Sequence, residues 1–249
     1  MLLFQPPPPT RYDLRFSVAG IPVTVHPLFW LVAILFGSSG GLAQLPIWVF
    51  VVFVSILIHE LGHAFAMRFY GQSSRIVLHF AGGLAIPESV WWGSRWANVA
   101  LSPNQQIVIA LAGPVAGFLL AGLIVIGVVI SGGSIAAHYL FGILPLPLTA
   151  LLPWGGWIIH AFVLQMLWVN IFWGLINLLP VFPLDGGNAA RNILLQYDPW
   201  DGVRKSLWLS AITGGLVAVA SLFLLQSVYM ALLFGLLAFQ SYQSLQVRF

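Results

Sequence analysis

The chain has 249 residues, of which 60% are hydrophobic and only 6% charged, with a formal net charge of +3 and no cysteine. Soluble domains carry roughly 25% charged residues, so a soluble globular class is excluded; without cysteine, so are disulfides and thiolate metal sites. The small positive charge forms no basic tract, which excludes a nucleic-acid partner and reads instead as a membrane topology signal.

In chain order, the N-terminal arm (residues 1–19) opens with a proline run and has no apolar core followed by a small-residue cleavage site. It predicts an extended segment and no signal peptide. Continuous apolar runs then predict an all-α polytopic membrane protein, because a crossing helix needs ~20 such residues. Six transmembrane helices are expected, near 26–43, 45–68, 105–131, 157–179, 207–225 and 227–245. The runs do not alternate, which excludes a β-barrel. The first span is the weakest, since Gly37–Gly41 shortens its apolar core.

Two apolar segments differ from the spans. "RIVLHFAGGLAIP" (75–87) is too short to cross and carries β-branched residues around Gly82 and Gly83. It predicts a membrane-associated β-hairpin or re-entrant loop. "HYLFGILPLPLTALLPW" (138–154) is interrupted by prolines and predicts a loop at the outer interface. All nine Lys and Arg residues fall in alternate loops. The positive-inside rule then places both termini and the 69–104 and 180–206 loops in the cytoplasm. Arg95, beside Trp91, Trp92 and Trp96, reads as an interfacial anchor, and Glu88 follows the hairpin.

The second span contains "HELGH" (59–63), three titratable groups in an apolar run. On a helix His63 lies about 40° round from His59, so the two imidazoles can share one metal. Glu60 is then placed to act as a general base toward a water that such a metal activates. Ionisable residues inside spans are rare and functional by default. Hydrolytic zinc takes three protein ligands, and acidic residues number six in the whole chain. Of these, Asp185 sits in an apolar setting at the end of a span, within "NLLPVFPLDGG" (177–187). Alone, that segment reads as an interfacial turn. Paired with the histidines, Asp185 becomes a candidate third ligand on unwound backbone, at similar depth on the cytoplasmic side. His26, His79, His138 and His160 are not expected to be ligands.

These residues resemble the site-2 protease family of intramembrane zinc metalloproteases. "HELGH", "AGP" (112–114) and "NLLPVFPLDGG" stand in the family's order, and "GIPVTVHPLFW" (20–30) and "FAGG" (80–83) are similar too. The resemblance implies one Zn2+ per chain held by His59, His63 and Asp185, with Glu60 as the catalytic base. It also implies that Asn177 steadies the substrate or its oxyanion. Substrates would be transmembrane segments of membrane proteins, with membrane lipid as surroundings and the active site nearer the cytoplasm. The whole of 1–249 is expected to form one metalloprotease domain, with a catalytic core near 45–190, two C-terminal spans in 207–245 and no PDZ or CBS domain.

Gly117 stands where some family members carry Asn. Asn170 and Asn177 share a face of the fourth span; interhelical hydrogen bonding accounts for Asn170 and competes with a substrate role for Asn177. The small residues of "AGPVAGFLLAG" read as close helix packing. Two other functions use the same residues, a membrane metal carrier and an inactive protease-like binder of membrane proteins. No internal symmetry favours the carrier, and retention of Glu60 argues against the binder.

Overall fold

The structure is a computed structural model and describes residues 7–37, 41–87, 101–140 and 144–248. Glu88, Arg95 and the tryptophans beside Arg95 lie outside the described residues. The chain divides into two compact units, one holding described residues 7–87 and 112–175, the other 101–111 and 176–248.

The first unit begins with a hairpin, β1 (Leu14–Val18) and β2 (Ile21–Val25). Its two-residue turn has both central residues at positive φ, Ala19 at 50° and Gly20 at 79°. That is the turn whose twist matches paired strands, and glycine accepts it readily. Helices α1 (Pro27–Gly37) and α2 (Leu45–Phe69) follow, then β3 (Ser74–His79) and β4 (Gly82–Pro87). The sheet order is β1-β2-β3-β4, with β2 and β3 parallel and the other neighbours antiparallel. Alternation in β2 turns Ile21, Val23 and Val25 to the core, where they join Ile76 and Leu78 of β3, Phe29 of α1, and Ile56 and Ala64 of α2. The sheet is thus held against the helix that carries "HELGH".

The expected hairpin at 75–87 is present, and two further strands extend it into a four-stranded sheet. Those strands come from the N-terminal arm and from "GIPVTV", whose alternation is short and easily hidden beside longer apolar runs. The expected first span is cut to the 11 residues of α1, too few to cross. The chain turns back after Gly37, where an added Cβ would lie 2.7 Å from the Leu45 side chain. Trp48 Nε1 donates to Ala33 O at 3.1 Å and closes that reversal.

The rest of this unit contains α3 (Pro103–Ile130) from residue 112 onward, a hairpin of β5 (Ser134–Leu140) and β6 (Leu144–Leu151), and α4 (Gly156–Asn177) up to residue 175. The hairpin replaces the expected outer loop. Pro145 and Pro147 are tolerated because a two-stranded ribbon has only edge strands, and its register shifts at Ala136/Ala137.

The second unit holds α5 (Asp185–Tyr197), α6 (Gly202–Phe223) and α7 (Val228–Arg248). Helices α6 and α7 approach closely at Gly214, where an added Cβ would lie 3.1 Å from Ala238 Cβ. The segment before α5 is tied down by Phe182 N–H donating to Ser210 Oγ at 3.0 Å. Five helices, α2, α3, α4, α6 and α7, are long and apolar enough to cross a membrane. The protein is a multi-pass membrane protein.

Candidate metal centre

Helix α2 starts with Pro46 in its first turn, where a missing N–H costs nothing, and ends with Arg68 near its carbonyl end. Its apolar length buries Val51, Ser55 and Ile56, then His59, Glu60 and His63. All three titratable residues are at most 7% exposed. Charge at such positions needs a partner, so the local structure is informative.

His59 and His63, one turn apart, direct their Nε2 atoms at each other across 3.2 Å, with ring planes at 77°. Two ligand nitrogens on a tetrahedral zinc, each ~2.0–2.1 Å from the metal, stand about 3.3–3.4 Å apart. The observed spacing fits a shared ion. A Glu60 oxygen joins them, and one ligand atom from each of the three residues falls within 4.8 Å of the others. Among the described residues this is the one such cluster of His, Cys, Asp or Glu.

Neighbouring backbone keeps the space around the cluster clear. An added Cβ on Gly113 of α3 would lie 2.6 Å from His63 Cε1 and 2.8 Å from His59 Nε2. One on Gly83 of β4 would lie 2.6 Å from Glu60 Oε1. Gly62, inside "HELGH", allows α3 to approach, since its Cβ would lie 2.8 Å from Ala116 Cβ. Real Cβ atoms do not approach so closely. "AGP" and "FAGG" therefore clear the two sides of one site, a role that helix-packing logic alone missed. Their resemblance to family motifs was the available signal.

Helix α4 braces α2 one turn before His59. Asn170 Nδ2 donates to Ser55 Oγ at 2.9 Å and to Met166 O at 2.8 Å. This agrees with the interhelical role expected of Asn170. Gly117 packs at the same place, where an added Cβ would make an ordinary contact 3.5 Å from Asn170 Oδ1. His26 and His79 lie buried at the sheet, and His160 bonds the backbone of Leu152. None of these three belongs to the cluster.

Asp185 and Asn177 lie in the second unit. Asn177, the last residue of α4, is buried. Asp185 is the first residue of α5, so it is not on unwound backbone as the prolines and glycines suggested. A carboxylate at a helix N-terminus is favoured by the macrodipole, and Leu184 supplies the extended residue before it. Gly186 and Gly187 are helical, and each serves close approach. An added Cβ at Gly186 would lie 2.6 Å from Leu179 O, and one at Gly187 2.6 Å from Val181 O.

The sequence profile of Peptidase family M50 matches residues 47–219, which contain His59, Glu60, His63 and the candidates Asn177 and Asp185. A zinc metalloprotease of Methanocaldococcus jannaschii is 25% identical over 88% of this chain and 58% of its own length. A Synechocystis protein described as a candidate zinc metalloprotease is 30% identical over 72% of this chain and 43% of its own. The chain thus spans about half the length of the curated relatives it matches. The solved site-2 protease from Methanocaldococcus jannaschii has a similar fold, with TM-score 0.55 and 25% identity, covering 94% of this chain and 95% of that one. With a buried histidine pair and carboxylate on a membrane-length helix, and a profile match running through that helix, this chain belongs to peptidase family M50.

Proposed function

We propose that this protein is an intramembrane zinc metalloendopeptidase that hydrolyses peptide bonds in or near transmembrane segments of membrane proteins. The observation that carries this reading is the buried His59–Glu60–His63 cluster on α2, a helix long and apolar enough to cross a membrane. His59 and His63 would hold the zinc through Nε2, and Asp185 is the third ligand of this reading. Zinc bound there would supply Lewis-acid chemistry, polarising a peptide carbonyl and making water acidic enough to attack at neutral pH.

The chain's own residues do the rest. Glu60, buried beside the histidines, takes the proton from the attacking water and returns it to the leaving amine. Gly113 and Gly83 keep side chains out of the reaction space. Asn177 steadies the substrate carbonyl. A helical peptide bond is shielded by its own turn, so a substrate must be extended before attack. Among the described residues strand β4 is an edge of its sheet and runs beside Glu60, which supports main-chain pairing with such a strand. Within this reading 1–249 acts as a single metalloprotease domain, with both termini cytoplasmic and water entering from that side.

The test is the protein reconstituted with a transmembrane reporter. Glu60→Gln should retain zinc and lose cleavage. Unchanged cleavage would sink the assignment, and zinc flux without proteolysis would favour a metal carrier.

A further inference from the structure

Away from the metal cluster, a cleft of about 240 Å³ opens where the C-terminal end of α2 meets the β1–β2 turn. It is smaller than sites that enclose drug-sized ligands, ~300–1,000 Å³, and suits a headgroup-sized one. Its lining includes Gly20, Arg68, Gln72, Ser73 and Ser74. Among the described residues no carboxylate lines it, and Arg68 is its one formal charge.

Two observations point to an absent ligand. Arg68 uses NH1 to hold Ala19 O at 2.6 Å, which fixes the guanidinium at the mouth of the turn. A guanidinium carries five donors in a planar fork, so this bond leaves most of them available. Ser74 is 6% exposed, and its buried Oγ has no hydrogen-bond partner among the described residues. Buried hydroxyls without partners are rare in folded proteins. A fixed cation, an orphaned hydroxyl and the donors of Gln72 and Ser73 together suit a tetrahedral oxyanion.

We propose that this cleft binds a phosphate group, with Arg68 as its charged partner and Ser74 as a second donor. Its place at the end of a membrane-length helix, beside the largely exposed Phe69, puts it at headgroup depth. Basic pockets at that depth take anionic lipid headgroups, and soluble phosphate has the same chemistry. Such a ligand would link the β1–β2 turn to the helix that carries the metal cluster.

The experiment uses the full chain, wild type and Arg68→Gln, with Arg15→Gln as a control for charge elsewhere on the hairpin. Native mass spectrometry compares retention of phosphatidylglycerol and phosphatidylcholine, and thermal melts in detergent follow a titration with inorganic phosphate. Phosphatidylglycerol should be retained over phosphatidylcholine, and bind at least ~10-fold more weakly to Arg68→Gln only. A phosphate-dependent stabilisation lost in Arg68→Gln, without lipid preference, would assign the site to soluble phosphate. Equal retention of both lipids with no response to phosphate overturns the proposal, as does Arg68→Gln behaving like Arg15→Gln. Should Arg68→Gln not fold, Arg68→Lys keeps the charge and Ser74→Ala keeps the turn. Each should weaken binding about threefold, and no change in either overturns the proposal.

Discussion

Gly113 on α3 lies so close to His63 on α2 that no side chain fits between them. Even a methyl group would come within 2.6 Å of His63 Cε1 and 2.8 Å of His59 Nε2. Gly113→Ala should therefore push the imidazoles apart and weaken zinc binding by roughly 10–100-fold, the range seen when the supports of metal ligands are disturbed. Zinc content after dialysis against a competing chelator reads this directly. Gly122→Ala, on the same helix with nothing among the described residues within 4 Å of its added Cβ, should keep wild-type zinc.

Gly83 stands in the same relation to Glu60. Gly83→Ala should displace the carboxylate without touching the histidines, so zinc content stays while cleavage of a transmembrane reporter falls. A displacement of about 1 Å in a catalytic group costs roughly 100-fold. Loss of zinc in this variant would mean that β4 supports the ligands as well as the base.

The sequence was most legible where one physical signal dominated. Five long spans follow from apolar length alone, and the helical spacing of His59 and His63 places both on one face. The four-stranded sheet was half hidden, because β1 and β2 are five residues each and sit in segments dominated by proline and the first apolar run. Helix α5 reads as loop in the sequence because its hydrophobicity is low, Pro180 and Pro183 stand just before it, and Gly186 and Gly187 resemble chain breakers. Its glycines instead permit the 178–182 backbone to pack against it. Gly113 and Gly83 stood out only through the resemblance of "AGP" and "FAGG" to family motifs, since a cleared space leaves no chemistry in the sequence.

Asp185 as third ligand makes its own prediction. Asp185→Ala should lower zinc affinity by more than roughly 100-fold, beyond the effect of disturbing a support. Asp198→Asn should not, because Asp198 is engaged with Lys205 Nζ at 2.6 Å. Stripping the wild type with a chelator should abolish cleavage, and added zinc should restore it. Full zinc affinity in Asp185→Ala would remove this residue from the ligand set.

The Ser55–Asn170 bond tests how firmly α4 braces α2. It lies one turn before His59, and both residues are buried. Interhelical hydrogen bonds in membranes average ~0.6 kcal/mol and reach ~1.7. A double-mutant cycle of Ser55→Ala and Asn170→Ala, read by unfolding in mixed micelles, should give a coupling within that range. A coupling of zero would assign the brace to packing alone.

His79 at the end of β3 gives the fold a pH dependence. Burial, and then the nearby His26, hold its pKa below the ordinary value of 6.5. Its Nδ1 also accepts the Ala81 N–H at 3.3 Å, a bond that protonation at Nδ1 destroys. The unfolded chain takes up this proton near pH 6.5, whereas the folded chain resists it until a lower pH. Between those two values the unfolded state binds more protons, so stability is complete above pH 6.5 and declines as the pH falls below it. Thermal melts from pH 8 to pH 5 should show that decline in the wild type and a flatter profile in His79→Gln. His26→Gln should narrow the window from below, because removing that neighbour raises the folded pKa of His79. Ala81 leads directly into Gly82 and Gly83, so the same acidification should loosen the turn that sets β4 beside Glu60. Amide exchange at residues 80–83 should therefore quicken below pH 6.5 in the wild type, and an unchanged rate would confine the effect to His79 itself.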